Sequence, residues 1–150
     1  MTDRVLSLSS LDDPLIKDFI SFKSSTLFKE DLILIESHKV ILKAISSQVK
    51  ILKILTSTSL YQENISLFSH VEHIYCLPDD VINKVVGQSF HGGIMAICQR
   101  PAINNFIKDE PILVLNGVTS PENVGAMIRS AVGFNVKNIL IDHKSCHPHV

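Results

Sequence analysis

The sequence predicts an α/β fold, and three observations support this prediction. With 150 residues, 45% of them hydrophobic and 19% charged, the chain can bury a substantial core. Short apolar runs of strand length alternate with amphipathic segments of about ten residues, which is typical of a mainly parallel sheet covered by helices. A polar stretch at residues 100–110 interrupts this alternation. We therefore expect an α/β domain over residues 1–99, a linker over 100–110 and the start of a second α/β domain over 111–150.

Local signals predict the elements of the first domain in order. Asp13 is a typical helix N-cap and Pro14 suits the first helical turn, so a short helix should begin there. Gly87 is placed to end the last helix as its C-cap. The predicted strands cover residues 32–36, 49–57, 71–77 and 92–99, and the predicted helices cover residues 37–48, 59–70 and 78–87.

The second domain is expected to begin with a single strand–helix–strand motif. The run "ILVLNG" at residues 112–117 predicts a strand, residues 121–133 a helix, and "NILID" at residues 138–142 another strand. One such motif cannot bury both faces of its own strands. This part of the chain should therefore need further chain or a partner to complete its sheet.

Charge and cysteine usage narrow the class of protein. A formal charge of −1 argues against a protein held on nucleic acid by bulk electrostatics, so any such contact should be local. The three cysteines show no CxxC spacing, and Cys76 and Cys98 lie in apolar runs typical of buried, unreactive thiols. The N-terminus does not resemble a signal peptide, and no apolar run approaches the ~18 residues of a membrane span. These features predict a cytoplasmic protein without a membrane partner.

The predicted helix at residues 121–133 has clear start signals and an apolar stripe. Ser120 is a plausible N-cap, Pro121 fits the first helical position, and Glu122 suits the positive end of the helix dipole. The spacing of the apolar side chains predicts one buried face. That face would contain Val124, Met127, Ile128, Ala131 and Phe134.

The other side of this helix contains a candidate ligand site. Glu122, Gly125 and Arg129 fall close to one line along the helix. Gly125 costs roughly 1 kcal/mol relative to alanine, but the missing side chain would let a ligand approach the Arg129 guanidinium. Asn123 lies in the first turn, near the crevice expected at the carboxyl edge of a parallel sheet.

Phosphate or ribose would suit these groups. A guanidinium binds phosphate through two parallel hydrogen bonds, and an asparagine amide both donates to and accepts from a hydroxyl. The residues alone fit a surface arginine on an amphipathic helix beside a capping asparagine at least as well, and both interpretations stay open at this level.

The stretch "LNGVTSPENVGAMIRSAVGFNVKNILI" resembles the first signature motif of the SpoU (TrmH) family of RNA ribose 2'-O-methyltransferases, within the SPOUT superfamily. The pattern is an apolar strand and a turn followed by N-x-G-x-x-x-R-[ST]-A-x-x-[FG]. Family members usually have glycine after the aromatic position, where this chain has Asn135. "ISFKSSTLFKEDLILIESHKVILKAI" and "FHGGIMAICQRP" more loosely resemble the N-terminal RNA-substrate-binding domain of the family, which is similar to a small ribosomal protein. The matching motif positions are Asn123, Gly125, Arg129, Ser130, Ala131 and Phe134.

The resemblance implies methyl transfer from S-adenosyl-L-methionine to a ribose 2'-hydroxyl of rRNA or tRNA, in an enzyme that is usually a homodimer. Arg129 and Asn123 match the catalytic arginine and its companion. A guanidinium does not act as a base in proteins, so our hypothesis is that Arg129 binds the neighbouring phosphate and stabilises developing alkoxide charge while Asn123 orients the ribose. Glu122 and Gly125 are the adjacent candidate RNA contacts. Lys23 and Lys29, beside Phe22 and Phe28, are RNA-contact candidates in the first domain. Aromatic core residues beside surface lysines are the alternative interpretation, and the sequence favours it.

The family also implies two later motifs that form a knotted cofactor pocket, and residues 1–150 supply neither. We therefore expect the chain to be truncated before the knot, with the cofactor pocket absent, no cofactor-binding residues, and no activity of its own. The alternative is a noncatalytic RNA-binding module derived from such an enzyme.

Other motifs point less strongly to function. The terminal cluster of His143, Cys146, His147 and His149 matches no usual zinc spacing, so no metal site is predicted. Residues 90–93, "FHGG", fit a turn before the last strand of the first domain better than an active-site loop. Neither a dinucleotide-binding G-x-G-x-x-G nor a P-loop occurs.

Overall fold

The computed structural model describes residues 4–20, 31–84, 92–102 and 105–146. The chain forms two compact units, Met1–Pro101 and Ala102–Val150, here called unit 1 and unit 2. Strands and helices mix in both units, so the predicted α/β fold is confirmed. The functional assignment of each part of the chain stays a prediction.

Unit 1 contains a five-stranded mixed sheet. Its strands are β1 (Val5–Ser7), β2 (Leu32–Glu36), β3 (Ile51–Ser57), β4 (His73–Leu77) and β5 (Ile94–Gln99), in the spatial order β1-β4-β3-β5-β2. Strand β4 runs parallel to β1 and β3, whereas β5 runs antiparallel to β3 and β2. The expectation of a mainly parallel sheet in the first domain is therefore too strong. The length and spacing of an apolar run predict a strand but not its direction. The direction depends on how the chain returns to the sheet.

The helices of unit 1 are short. A 3₁₀ turn (Pro14–Ile16) and α1 (Lys17–Ile20) follow the predicted cap, where the Asp13 carboxylate accepts from the Leu15 N–H at 2.9 Å. Next come α2 (His38–Ser46), α3 (Thr58–Glu63) and α4 (Asp79–Ile82). Helix α3 ends well before the predicted residue 70 because the Asn64 side chain donates to the Leu60 carbonyl at 2.9 Å and caps that end. Helix α4 ends at Ile82, and the predicted cap at Gly87 lies outside the described residues.

Side chains pack on both faces of this sheet. Ile54, Ile74 and Phe68 belong to the cluster on one face, and Leu55, Tyr75 and Phe19 belong to the cluster on the other. Residues of opposite faces alternate along β3 and β4, so both faces are buried and the strands are nearly continuously apolar. Cys76 in β4 and Cys98 in β5 are both buried, as predicted. Burial raises the pKa of Cys76 to about 11 and that of Cys98 to about 12.

Unit 2 contains one strand–helix–strand motif. Strand β6 (Ile112–Leu115) pairs in parallel with β7 (Asn138–Ile141), and α5 (Pro121–Gly133) connects them. The buried Asn138 side chain exchanges two hydrogen bonds with the Ile107 backbone, at 2.8 and 2.9 Å, and a longer one reaches the Glu110 carbonyl at 3.4 Å. These contacts fix the segment before β6 against the start of β7, although this segment falls within the predicted linker.

The β6–β7 pair has one exposed apolar face. Leu115 is buried, whereas Ile112 and Val114, which alternate with it, are exposed. Leu140, the register partner of Val114, is exposed as well. Within the described ranges, no helix is long and apolar enough to cross a membrane.

Candidate nucleic-acid interface

The start of α5 has the predicted cap. The Ser120 hydroxyl accepts from the Asn123 N–H at 3.3 Å and donates to the Glu122 carboxylate at 2.7 Å, and Pro121 occupies the first turn. The hydrogen bond from the Ser120 hydroxyl lowers the pKa of Glu122. A hydrogen bond from the backbone N–H of Glu122 lowers it further, by a smaller amount. Glu122 is exposed and carries a negative charge at neutral pH.

A negative charge in the first turn affects which ligand groups can bind there. A carboxylate repels phosphate but accepts hydrogen bonds from hydroxyl and amino groups. Glu122 therefore disfavours phosphate at the helix start, although free backbone N–H groups point outward there. The helix start suits a ribose or base edge better than a phosphate.

Arg129 supplies the positive charge, one to two turns further along the same helix. Its side chain is exposed, and among the described residues it has no ion-pair partner. A Cβ built on Gly125 would lie 3.6 Å from Nη1 of Arg129, so the guanidinium extends back over Gly125. Arg129 and Gly125 are thus adjacent, as the sequence predicted. The ridge formed by Glu122, Gly125 and Arg129 carries both charges, about 10 Å apart along the axis.

Asn123 is exposed near this ridge but not on it. Six residues separate Asn123 from Arg129, which places them about 120° apart around the helix and about 9 Å apart along it. Its backbone is held by the Ser120 cap, and its side-chain amide makes no hydrogen bond within the described part of the chain. The two predicted catalytic side chains therefore share a helix without contacting each other. A ligand would have to bridge them.

Two loops at the carboxyl ends of β6 and β7 are hydrogen-bonded to each other. Oδ1 of Asp142 accepts from the Gly117 N–H at 3.1 Å, from the Ser145 N–H at 2.9 Å and from the Ser145 hydroxyl at 2.6 Å. The Ser145 hydroxyl in turn accepts from the Val118 N–H at 2.9 Å. Gly117 has a φ of 70°, a left-handed conformation that glycine adopts without strain. We call Asp142 and Ser145, with the Gly117 and Val118 amides that they bind, the loop clasp.

The sequence analysis did not identify the loop clasp. Its local signal is an aspartate directly after a strand with a serine three residues later, a common turn pattern. The contact between the two loops becomes visible only when β6 and β7 are paired. The hydrogen bond from Ser145 lowers the pKa of Asp142, with the Gly117 N–H as the next cause, so the carboxylate is ionised at neutral pH.

The predicted buried face of α5 is only partly buried. Val124 and Ala131 are buried, but Met127 is 40% exposed and Phe134 is 84% exposed. The prediction was wrong for these two side chains because a two-stranded sheet is too narrow to cover the whole apolar stripe. They line an open groove of about 310 Å³ beside β6, together with Leu113 and Ser130. Asn135 after the helix has a φ of 56°, which asparagine tolerates better than most residues.

Other predicted site residues fall outside this region. Lys23 and Lys29 lie outside the described residues, as do His147 and His149. His143 and Cys146 are described, and no group of three or more metal-binding side chains occurs in the described ranges. Gly92 and Gly93 both have positive φ, of 139° and 65°, which fits the predicted turn before β5.

A second polar cluster lies at the carboxyl end of β3. The Asp79 carboxylate accepts hydrogen bonds from the Ser59 hydroxyl and, at 3.4 Å, from the Ser59 N–H, and the Ser59 hydroxyl lies 3.1 Å from that of Ser57. The Ser59 hydroxyl is the main cause of the lowered pKa of Asp79. Because these groups bond to one another and cap α3, the cluster has a structural explanation.

Comparison with known proteins gives different results for sequence and structure. No protein-family model and no curated protein matches the sequence. Among solved structures, an AdoMet-bound rRNA methyltransferase from Sinorhizobium meliloti is similar with a TM-score of 0.77, at 16% identity over 97% of this chain and 57% of that one. An RNA 2'-O ribose methyltransferase is similar with a TM-score of 0.69, at 21% identity over 91% of this chain and 55% of that one. The SpoU methyltransferase AviRb from Streptomyces viridochromogenes, in complex with AdoMet, has a TM-score of 0.71 at 13% identity, over 91% of this chain and 56% of that one.

These likenesses define the fold. The fold of this chain is similar to that of these methyltransferases within the matched lengths, and the chain spans little more than half of each of these proteins. The fold expected from the motif around Asn123 and Arg129 is therefore confirmed.

Proposed function

We propose that this chain belongs to the SpoU (TrmH) family and forms the RNA-facing part of an S-adenosyl-L-methionine-dependent methyltransferase that modifies a ribose 2'-hydroxyl. The observation that carries the proposal is the position of the motif. Asn123 and Arg129 lie exposed, and Gly125 lies half-buried, on the helix that follows the first strand of unit 2. The chain shares the fold of such enzymes over nearly its whole length.

The geometry of α5 supports a division of roles. Arg129 binds the phosphate next to the modified ribose, and its charge stabilises the negative charge that develops on the 2'-oxygen during methyl transfer. Gly125 provides room for the RNA backbone beside the guanidinium. Asn123 and Glu122 contact ribose hydroxyls or a base edge, since the charge of Glu122 disfavours phosphate at the helix start. Lys23 and Lys29 are proposed as further RNA contacts in unit 1.

The groove beside α5 does not fit the cofactor. S-adenosyl-L-methionine presents an amino-acid group and a ribose, which require charged or hydrogen-bonding partners. The groove beside α5 has apolar walls, with the Ser130 hydroxyl as its polar side chain. We therefore assign no residue of this groove to cofactor binding. When bound, the cofactor supplies the methyl group, and the chain described here orients the RNA.

Arginine substitutions test the proposed role of the guanidinium. Arg129→Ala should weaken binding of a single-stranded oligoribonucleotide by about tenfold and reduce the salt dependence of binding by about one phosphate contact. Arg129→Lys should recover the salt dependence but only part of the affinity, because a lysine cannot bind phosphate through two parallel hydrogen bonds. Lys137→Ala, on the same unit, is the charge-matched control because Lys137 pairs with Glu110 at 2.7 Å. Equal losses for Arg129→Ala and Lys137→Ala would contradict a specific role for Arg129.

Calorimetric titration of S-adenosyl-L-methionine into the chain tests whether the chain binds the cofactor. Saturable one-to-one heat would show that the chain, or an oligomer of it, builds a cofactor pocket and would contradict our assignment. Methyl transfer to RNA by the chain at high cofactor concentration would exclude the noncatalytic RNA-binding module. The homodimer, the cytoplasmic location and the identity of the RNA as rRNA or tRNA stay predictions.

A further inference from the structure

We infer that the loop clasp positions the RNA site: Asp142 and Ser145 hold the turn before α5 so that Asn123 meets a ribose in a fixed place. The inference rests on the proposed function. It concerns two residues that lie outside the recognised motif and that would not themselves touch the reacting atoms.

The turn before α5 depends on β7 for its conformation. Gly117 and Val118 donate their N–H groups to Asp142 and Ser145, which both follow β7. Backbone bonds add to this, from the Asp142 N–H to the Leu115 carbonyl at 3.0 Å and from the Cys146 N–H to the Val118 carbonyl at 2.8 Å. The loop after β7 is thereby hydrogen-bonded both to the end of β6 and to the turn that follows it.

The turn before α5 also fixes the start of that helix. Two residues after Val118 comes Ser120, whose hydroxyl caps the Asn123 N–H and binds Glu122. A displacement of Val118 would therefore move the cap, and with it the side chains in the first turn. Arg129 lies two turns further along and packs over Gly125, so its contact with Gly125 does not depend on the turn. The clasp should consequently affect recognition of ribose more than recognition of phosphate.

Asp142 suits this role because its negative charge strengthens the hydrogen bonds that it accepts from the two loops. Its Oδ1 accepts three hydrogen bonds, and hydrogen bonds to a charged acceptor are roughly twice as strong as those between neutral groups. Ser145 links the two loops, since its hydroxyl donates to Asp142 and accepts from Val118. Removing that hydroxyl leaves the Val118 N–H without its acceptor.

The experiment compares Ser145→Ala, Ser145→Thr and Asp142→Asn with the unaltered chain. Asp109→Asn is the matched control, because Asp109 is an exposed aspartate of the same unit that makes no hydrogen bond through its side chain within the described residues. Amide hydrogen exchange at Gly117 and Val118 reports the clasp, with amides of β3 as the internal reference. The ratio of the dissociation constants for a short oligodeoxyuridylate and the matching oligouridylate reports recognition of the 2'-hydroxyl.

Ser145→Ala should speed exchange at Val118 by about fivefold and lower the ratio towards one. Asp142→Asn should speed exchange at Gly117 by a similar factor and should also lower the ratio towards one. Ser145→Thr, which keeps the hydroxyl, should restore both measurements, and Asp109→Asn should change neither. Binding of the deoxy probe, which depends on Arg129, should hold in every variant.

Faster exchange with an unchanged ratio would overturn the inference, since the clasp would then stabilise the loops without positioning the site. Unchanged exchange in both Ser145→Ala and Asp142→Asn would overturn it as well. A wild-type chain that does not distinguish the two probes would instead refute the proposed function. The exchange rates, with the amide signal of Asn123, would still show whether the clasp fixes the helix start.

Discussion

Gly125 provides the sharpest test of the site because stability and binding should change in opposite directions. A glycine within a helix costs about 1 kcal/mol relative to alanine. In Gly125→Ala, the new methyl group would meet Nη1 of Arg129 at 3.6 Å, an ordinary van der Waals distance, and would meet nothing closer. The substitution should therefore stabilise unit 2 by about 0.5–1 kcal/mol.

The same methyl group should weaken RNA binding. It occupies the space beside the guanidinium through which a ligand would approach Arg129. Loss of one close contact with a charged group corresponds to about 1.5 kcal/mol, or roughly tenfold in affinity. Gly133→Ala is the matched control: Gly133 lies in the last turn of α5, where a new Cβ has nothing within 4 Å. It should raise stability by less than 1 kcal/mol without changing the affinity.

Stability should be measured by native-state hydrogen exchange at amides of β6 and β7. Tyrosine fluorescence would not serve, because the chain has no tryptophan and both of its tyrosines, Tyr61 and Tyr75, are in unit 1. Affinity should be measured by titration with a single-stranded oligoribonucleotide. If Gly125→Ala stabilises unit 2 and binds as tightly as wild type, the glycine has no role in ligand approach. If it destabilises unit 2, the described helix geometry around Gly125 is wrong.

Three further predictions concern the fold and chemistry of the two units taken separately. Asn138→Ala should destabilise unit 2 by about 2–3 kcal/mol, because it removes the hydrogen bonds that hold the segment before β6. Amide hydrogen exchange in β7 should become faster, and an unchanged rate would contradict the described packing of that segment. Cys146, which is only partly buried, should be alkylated at pH 8 much faster than Cys76 or Cys98, whose burial raises their pKa to about 11 and about 12; equal rates in mass spectrometry would refute this. Asp79 has a lowered pKa, so its ionised carboxylate stabilises unit 1 above the unfolded pKa of about 3.9, and this stabilisation is lost as pH falls through the folded pKa. In urea unfolding, Asp79→Asn should therefore destabilise unit 1 at pH 7 but no longer at pH 2.

Local signals predicted the elements and the helix start. Ser120, Pro121 and Glu122 act within one turn of each other, so their capping role can be inferred from neighbours in sequence. The left-handed backbone at Asn135 also has a local cause, since asparagine replaces the usual glycine at the helix end. Strand β1, with three residues, is too short for a periodic pattern and was missed.

Features that depend on distant residues could not be predicted. The antiparallel direction of β5 is set by the path of the whole chain. Asp142 contacts Gly117 across 25 positions, and Asn138 contacts Ile107 across 31, so neither partner indicates the other. Met127 has the spacing of a buried residue, but its burial depends on how wide a sheet lies beneath the helix. The sequence therefore identified the helix that carries the site, whereas the supporting loops required the structure.

The exposed face of β6 and β7 affects how the protein behaves at high concentration. Ile112, Val114 and Leu140 form an apolar surface, and within the described residues each strand has one edge that pairs with no other strand. Such edges and surfaces favour contact with other chains. Unit 2, rather than the larger unit 1, should therefore set the concentration at which light scattering first detects association.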